Sequence, residues 1–301
     1  MCEYVKYCSI CGSPMIYSSL DSFRANKKHI ICRSCARKDM FKRIYPNKIE
    51  KLLLDTPETY YWIGYLLSDG HIDKNCRIKF TQNGTDKISV EKFRLYLEGK
   101  CDIKYSKNVD QASFSIMNKD IISQIAKKFD IKSNKTYNPP KKEIFEQMDI
   151  DLLAYLFIGF VDGDGHIANL YKRTDFQLSI RVHSSWYDII NVFAERLFGL
   201  YKYVKITKDG YCMFAIGNTK LLKDFKRKYL TNISFEPLKR KWDVIDLNYI
   251  GKYEKSEINF KNVKELYLKH YDIKTICKLL NLKEGCVYKK IRELKNEMFN
   301  N

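Results

Sequence analysis

Two sets of residues in this chain have the types and spacing to do chemistry. The first is a pair of acids. Tyr61-Trp-Ile-Gly-Tyr-Leu-Leu-Ser-Asp-Gly-His-Ile72 is matched by Leu156-Phe-Ile-Gly-Phe-Val-Asp-Gly-Asp-Gly-His-Ile167, at an offset of 95 residues. Both segments read as helices, apolar nearly all round and so buried. Each holds a mid-helix glycine, Gly64 or Gly159, which costs roughly 1 kcal/mol relative to alanine. Close approach of two helix backbones is the expected reason. Five residues further on each helix reaches an acid, Asp69 or Asp164, followed by Gly70 or Gly165, a natural helix terminator. An Asp there meets the negative end of the helix dipole. If the two helices pack about a pseudo-twofold axis, the two acids also repel one another. A divalent cation, Mg2+ or Mn2+, relieves both problems. Paired carboxylates with such a metal on a basic chain predict metal-assisted phosphodiester cleavage. Two buried helices ending in Asp-Gly turns are the plainer alternative.

The second set is Cys8-Ser-Ile-Cys11 and Cys32-Arg-Ser-Cys35, two close pairs separated by 20 residues. Each pair can bend both sulfurs toward one ion, and two such knuckles complete a tetrahedral thiolate site for structural Zn2+. Gly12 follows the first knuckle, where a tight turn helps. A unit of about 40 residues has too little core to fold unaided, so the metal supplies its stability. Four reduced cysteines in a small core are the alternative. Lys27, Lys28, Arg33, Arg37, Lys38, Lys42 and Arg43 make the segment basic, as phosphate contacts require. Cys2, Cys76, Cys101, Cys212, Cys277 and Cys286 are scattered and read as small hydrophobes.

The elements that position the acids also repeat. Arg77-Ile-Lys-Phe-Thr-Gln82 and Gln177-Leu-Ser-Ile-Arg-Val182 alternate with period two, as half-buried strands do. Amphipathic helices follow at 88–98 and 187–198. Strands are expected at 103–105 and 112–117, then at 203–206 and 212–216, and closing helices at 119–129 and 219–229. Each copy spans about 100 residues, as an internal duplication with pseudo-twofold symmetry would. Lys79, Thr81, Ser179 and Arg181 share one strand face; Ile78, Phe80, Leu178 and Ile180 share the other. A solvated sheet face explains that split as well as a bound ligand does.

The whole chain has 301 residues and a formal net charge of +18. That points to a polyanionic partner, and the excess is spread over the amino-terminal, central and carboxyl-terminal segments. The composition is 45% hydrophobic with only six prolines, which suits packed cores rather than disorder. The longest apolar run, Leu152 to Val161, is about half of the ~20 residues a spanning helix needs. The opening MCEYVKYCSICG lacks a signal-peptide pattern. A cytoplasmic chain with reduced thiols and no membrane partner is expected.

The two duplicated segments resemble the LAGLIDADG motif of the homing endonucleases, in the single-chain, two-motif form. FIGFVDGDG is close to the consensus; WIGYLLSDG departs from it, with Leu67 where the family often has its first Asp, a capping or packing position. The resemblance covers residues 50–250. It implies an α+β core of two αββαββα halves, about 50–148 and 149–250, whose sheets form a saddle on the DNA major groove. Lys79, Thr81, Ser179 and Arg181 would then read bases. It implies that Asp69 and Asp164 bind Mg2+ at the scissile phosphates, one on each strand, and that water attacks in line. The product would carry staggered 3′ overhangs. It further implies a catalytic basic residue after the last helix of each half, Lys135 and Lys239 (with Lys241 an alternative within one turn), and a solvent-ordering polar residue, Gln82. The expected partner is double-stranded DNA with a long, partly asymmetric target, bound by a monomer acting at the nucleoid of a prokaryotic or phage-infected cell. A non-cleaving regulator on the same scaffold and an RNA-binding intron maturase are the alternatives. With no splicing domain flanking the core, an intein is not expected.

Residues 1–45 then form a zinc-ribbon-like module and 256–301 a helix-turn-helix. In the latter, Val263, Leu266, Tyr267 and Leu268 suggest one helix, Ile273, Ile276, Leu279 and Leu280 a second, and Val287, Ile291 and Leu294 a third. The last carries Tyr288, Lys289, Lys290 and Arg292 on its polar positions, as a DNA-recognition helix does. A small helical bundle bracing the core is the alternative.

Overall fold

The computed structural model describes residues 4–26, 30–36, 48–99, 102–106, 108–169 and 176–299. They form two compact units, Met1–Ile144 and Phe145–Asn301.

The first unit begins with a hairpin, β1 (Tyr4–Tyr7) and β2 (Pro14–Tyr17), and a short helix, α1 (Leu20–Ala25). A 3-10 turn at Ile49–Leu53 leads to α2 (Pro57–Ser68). Then come β3 (Gly70–Ile72), β4 (Arg77–Asn83), α3 (Lys87–Tyr96), β5 (Lys104–Ser106), β6 (Gln111–Met117) and α4 (Lys119–Lys128). The second unit opens with α5, which begins in the first (Lys142–Gln147), and repeats the order: α6 (Ile150–Asp164), β7 (Gly165–Asn169), β8 (Phe176–His183), α7 (Tyr187–Phe198), β9 (Lys205–Ile206), β10 (Tyr211–Ile216) and α8 (Thr219–Leu230). Each unit is thus αββαββα, an α+β arrangement, and both antiparallel sheets have the same strand order, β3-β4-β6-β5 and β7-β8-β10-β9.

Local chemistry repeats with the topology. Thr56 caps α2 ahead of Pro57, and Asp149 caps α6 by accepting from the Asp151 and Leu152 amides; both starts suit orphan N–H groups. Asn118 and Asn218 cap the closing helices through the Ile121 and Leu221 amides. The buried strand faces pack on aromatic cores: Tyr65 and Phe80 lie 4.9 Å apart edge-on, and Phe80 meets Phe93 at 5.2 Å. In the second unit Phe157 meets Phe193 at 5.3 Å and Phe198 meets Phe225 at 5.1 Å.

The sequence pattern did not show β3 and β7. Gly-His-Ile is too short for alternation to declare itself, yet Gly70 pairs with Phe80 and Gly165 with Ile180. Both helices end at these glycines as expected, and the strands that follow show why. Gly165 has φ −87°, which any residue adopts. The need is space: a Cβ at Gly70 would lie 2.6 Å from Leu66 Cα, and one at Gly165 2.8 Å from Val161 Cα. The strand folds straight back on its helix's last turn, and only glycine permits it.

The unit boundary falls before residue 145 rather than after 148. Phe145 packs on Phe193, ring centres 5.8 Å apart, and its carbonyl accepts from Arg196 at 2.6 Å, so α5 is tied to the second core.

After α9 (Lys239–Trp242) come α10 (Lys252–Leu268), α11 (Ile273–Leu280) and α12 (Glu284–Phe299). Val263, Ile276, Val287 and Ile291 form their core. Asp272 caps α11 and Asn281, at φ +50°, ends it. α10 begins well ahead of the apolar positions that predict it. Its first turns are held by polar contacts, chiefly the Lys223–Glu254 pair at 2.7 Å, with the lysine side chain buried. The fully buried Ile276 fixes this small cluster. Ile276→Ala is expected to cost about 2–4 kcal/mol, read as a lower urea midpoint by circular dichroism; an unshifted midpoint would show that the three helices do not share a core.

Candidate active site and nucleic-acid interface

Asp69 sits at the carboxyl end of α2, its amide donating to the Tyr65 carbonyl at 3.0 Å, and its side chain is exposed. Two residues hold this end. Gln82, buried on β4, donates from Nε2 to Asp69 Oδ2 at 2.8 Å. Lys135 donates from Nζ to the Ser68 carbonyl at 2.6 Å. A cation on the last carbonyls offsets the negative end of the dipole, so it favours the acid that the dipole disfavours.

Asp164 is the last residue of α6 and is likewise exposed. Here the cation is Lys241, only 4% exposed. Its ammonium donates to the carbonyls of Val161 (2.8 Å), Asp162 (2.6 Å), Gly163 (3.1 Å) and Gly165 (2.8 Å). Lys239 is elsewhere: its exposed side chain pairs with Glu236 at 3.4 Å. The basic residue at the second helix end is therefore Lys241. Its place is fixed by α9, whose next residue, Trp242, donates from Nε1 to Asp162 Oδ1 at 2.8 Å while the Leu238 amide donates to Oδ2 at 2.8 Å. Asp162 is 1% exposed and stands where the first repeat has Leu67. It is a packing acid, not a surface ligand.

His71 and His166 were not singled out by type or spacing. Both are exposed two residues beyond the acids, cross-strand from Lys79 and Ser179. The signal was present: Gly-His-Ile is among the few stretches identical in the two copies.

The strand faces divide as the alternation requires. Ile78, Phe80, Leu178 and Ile180 are buried; Lys79 and Arg181 are exposed and Ser179 is half-exposed. Thr81 differs. Its hydroxyl oxygen is covered and has no hydrogen-bond partner, so it cannot read a base from this position. Arg181 stacks on Tyr211, 4.6 Å from the ring centre, and pairs with Asp209. Beside Arg181 the same face exposes Tyr211 and Met213, whereas Tyr105 and Ile206, paired with Ala112 and Cys212, are exposed on the opposite face. Large apolar side chains among basic ones suit a surface that is covered in use.

On α12, Tyr288, Lys289 and Arg292 are exposed. Lys290 turns inward, donating to the Ser256 carbonyl at 3.0 Å, and so braces α10.

At the amino terminus the four cysteine sulfurs lie within 4.8 Å of one another, with Cys11 and Cys32 3.7 Å apart. Bonds of about 2.3 Å in a tetrahedron space sulfurs roughly 3.8 Å apart, so the set fits zinc. The Cys32 amide donates to Cys8 Sγ at 3.2 Å and the Cys35 amide to Cys32 Sγ at 3.3 Å. Such donors favour thiolates: the Cys32 amide above all holds the Cys8 thiol down at about 6, and the Ser13 hydroxyl lowers Cys11. Cys35, hydrogen-bonded to Cys11 and desolvated, is pushed up to about 12. Gly12, at φ +69°, makes the knuckle's turn. Among the described residues of 4–36, Cys8 and Cys35 are the only buried hydrophobic ones, so little but the metal can hold this module. Arg33 is exposed; Lys27, Lys28, Arg37, Lys38, Lys42 and Arg43 lie outside the described residues. Metal analysis is expected to find one zinc per chain. Chelation is expected to unfold 4–36 and to leave the β3–β6 sheet intact by hydrogen exchange; protein that is folded there yet free of zinc would refute the site.

Among the described residues this is the one cluster of three or more metal-ligating side chains. Asp69 and Asp164 each offer a carboxylate. Mg2+ takes one or two carboxylates and completes its shell with water and phosphate oxygens, so single exposed acids suit it when a phosphodiester is present. No helix among the described residues is long and apolar enough to cross a membrane.

A duplicated αββαββα chain with an exposed acid at the end of each leading helix is thus defined. Its neighbours among solved structures are LAGLIDADG homing endonucleases. Meganuclease I-SmaMI bound to uncleavable DNA with a TTGT central four is 13% identical, with 76% of this chain and 97% of that chain covered and a TM-score of 0.43. I-LtrWI bound to target DNA is 15% identical (77% and 95% covered, TM-score 0.40), and I-GzeII in complex with its DNA target 13% (76% and 98%, TM-score 0.43). No family model matches the sequence, and no curated protein does.

Proposed function

We propose that this chain is a site-specific double-strand DNA endonuclease of the LAGLIDADG type. The observation that carries the proposal is repetition at the helix ends: each half brings an exposed aspartate to the close of its first helix, with a lysine bound to the carbonyls beside it. Packing does not require an acid at either place. Both acids face solvent, and both sit at the unfavourable end of a dipole, so their use lies outside the fold.

Bound Mg2+ or Mn2+ would supply charge neutralisation at the scissile phosphate and activate the attacking water. The chain's own residues do the rest. Asp69 and Asp164 hold the cation, one for each strand. Lys135 and Lys241 fix the helix ends and add positive potential. Gln82 orients Asp69. Lys79, Ser179 and Arg181 face the duplex from the two sheets, and Tyr288, Lys289 and Arg292 extend the contact from α12. The zinc module and the terminal helices lengthen the footprint and raise affinity through effective concentration. Selection of cleavable duplexes from a randomised library in Mg2+ tests the reading: recovery of one long, partly asymmetric target supports it. Duplex binding without cleavage would indicate a regulator, and preference for a folded intron RNA a maturase.

A further inference from the structure

The two central strands of each sheet correspond residue for residue. Phe80 faces Gly70 and Ile180 faces Gly165; on the other side Phe80 pairs with Phe114 and Ile180 with Phe214. Gln82 thus corresponds to Val182, and Gln111, Ser113 and Ser115 of β6 correspond to Tyr211, Met213 and Ala215 of β10. These positions lie on the solvent side of each sheet, because the residues between them, Ala112 and Phe114, Cys212 and Phe214, are buried. The first half therefore lines this strand with an amide and two hydroxyls, and the second with a ring, a thioether and a methyl.

Nothing in the fold asks for the second set. Cys212 and Phe214 already supply the contribution of β10 to the core, whereas Tyr211 and Met213 are each 41% exposed. Large apolar side chains left in water gain nothing from burial until a partner covers them. Their neighbours indicate the partner. Met213 lies between Arg181 on β8 and Lys205 on β9, and Arg181 also stacks on Tyr211, 4.6 Å from the ring centre. Apolar side chains set between cations fit a polyanion that carries an apolar group of its own. In the major groove every base edge presents donors and acceptors, and the one projecting apolar group is the C5-methyl of thymine. A methionine side chain offers only a weak acceptor and an alanine side chain nothing, whereas a serine hydroxyl both donates and accepts.

We propose that β10 is a reader of thymine methyls: Met213 and Ala215 cover 5-methyl groups in the half-site bound by the second unit, while Ser113 and Ser115 read the other half-site by hydrogen bonds. The inference rests on the endonuclease reading above and adds the chemistry by which the two halves of the target differ. Met117, at the end of β6, is the one exposed apolar side chain on that strand, so at most one methyl contact is expected from it.

The test uses the full-length chain and a duplex recovered by library selection. Each thymine is replaced singly by deoxyuridine, which removes the methyl and keeps every hydrogen-bonding atom. Affinity is read by competition fluorescence anisotropy without Mg2+. Replacement at two or more positions of one half-site should weaken binding about fourfold each, against no more than one such position in the other. Met213→Ser and Ala215→Ser, which carry the residues of the first half, should each bind the thymine duplex about fourfold more weakly and be indifferent to uracil at one of those positions. Met213→Leu should keep the preference for thymine. Thermal melts establish that the variants are folded. Replacements that are neutral throughout, sensitivity shared evenly between the half-sites, or sensitivity that survives unchanged in both serine variants would overturn the inference while leaving the endonuclease reading in place. So would a wild-type dimer that Met213→Ser dissociates in sedimentation, since the face would then belong to a second copy. Failure to recover any cleavable duplex would overturn that reading, and this inference with it.

Discussion

Asp69→Asn and Asp164→Asn are each expected to abolish double-strand cleavage, with a fall of at least about a thousand-fold, or roughly 4 kcal/mol of transition-state stabilisation, and to leave duplex affinity within a few-fold of wild type. Asparagine keeps the shape of the side chain and its hydrogen-bonding oxygen but removes the negative charge that holds a divalent cation. Neither acid is buried, so the substitution opens no cavity and the fold has no reason to fail. Each acid also sits against the negative end of its helix dipole, so removal of its charge should slightly raise stability. Lower activity together with unchanged or higher stability is the signature of a residue kept for chemistry. Binding is measured by fluorescence anisotropy and cleavage by gel, both in Mg2+. Cleavage that persists in either variant would sink the catalytic assignment.

The acids were legible in the sequence because the duplication printed them twice at matching places in two otherwise apolar helices. The strand and helix positions that follow were legible for the same reason, as period-two and period-3.6 patterns run long enough there to count. What escaped was short or tertiary. β3 and β7 hold too few residues for a pattern. Lys239 and Lys241 lie two apart in one basic run, and nothing local says which turns inward; the answer comes from Trp242 reaching Asp162, a contact between residues 80 apart in sequence. Lys290 reads as an outward basic residue until α10 is seen to extend back to Ser256, whose carbonyl accepts a hydrogen bond from it. Thr81 keeps the alternation of its strand yet has its hydroxyl covered, because alternation fixes the side of the sheet and not the depth. The exchange of Gln82 for Val182 could be aligned only once the registers were known. The motif copies are offset by 95 residues, whereas Gln82 and Val182 are 100 apart, since the second copy carries a longer β7–β8 connection.

Lys241→Met is expected to be among the most destabilising single substitutions in the second unit, at about 3–5 kcal/mol. Methionine fits the volume of the lysine stem but leaves the last carbonyls of α6 without their donor, in a place that water does not reach: Lys241 is 4% exposed, and its ammonium serves four carbonyls. A buried acceptor left without a partner costs about 1–3 kcal/mol, and the four share one ammonium, so the losses do not simply add. Lys239→Met is the control. That side chain is exposed and pairs with Glu236 at 3.4 Å, an arrangement worth little in water, so its unfolding midpoint should barely move. Lys135→Met should fall between the two, since its ammonium donates to a helix-end carbonyl, that of Ser68, from a less buried place. Asp162→Leu completes the comparison. Leucine is what the first repeat carries at that position, yet here it would leave the Leu238 amide and the Trp242 indole N–H unsatisfied, so it too should destabilise despite being the more apolar residue. Urea titration of the four variants reads all of this directly. If Lys241→Met matched Lys239→Met, the ammonium would not be what holds the helix end, and Asp164 would owe its position to the strand that follows it. The expected order, with Lys241 and Asp162 far above Lys135 and Lys239, instead makes the second half's acid depend on a buried polar clamp that the first half replaces with Leu67 and Gln82.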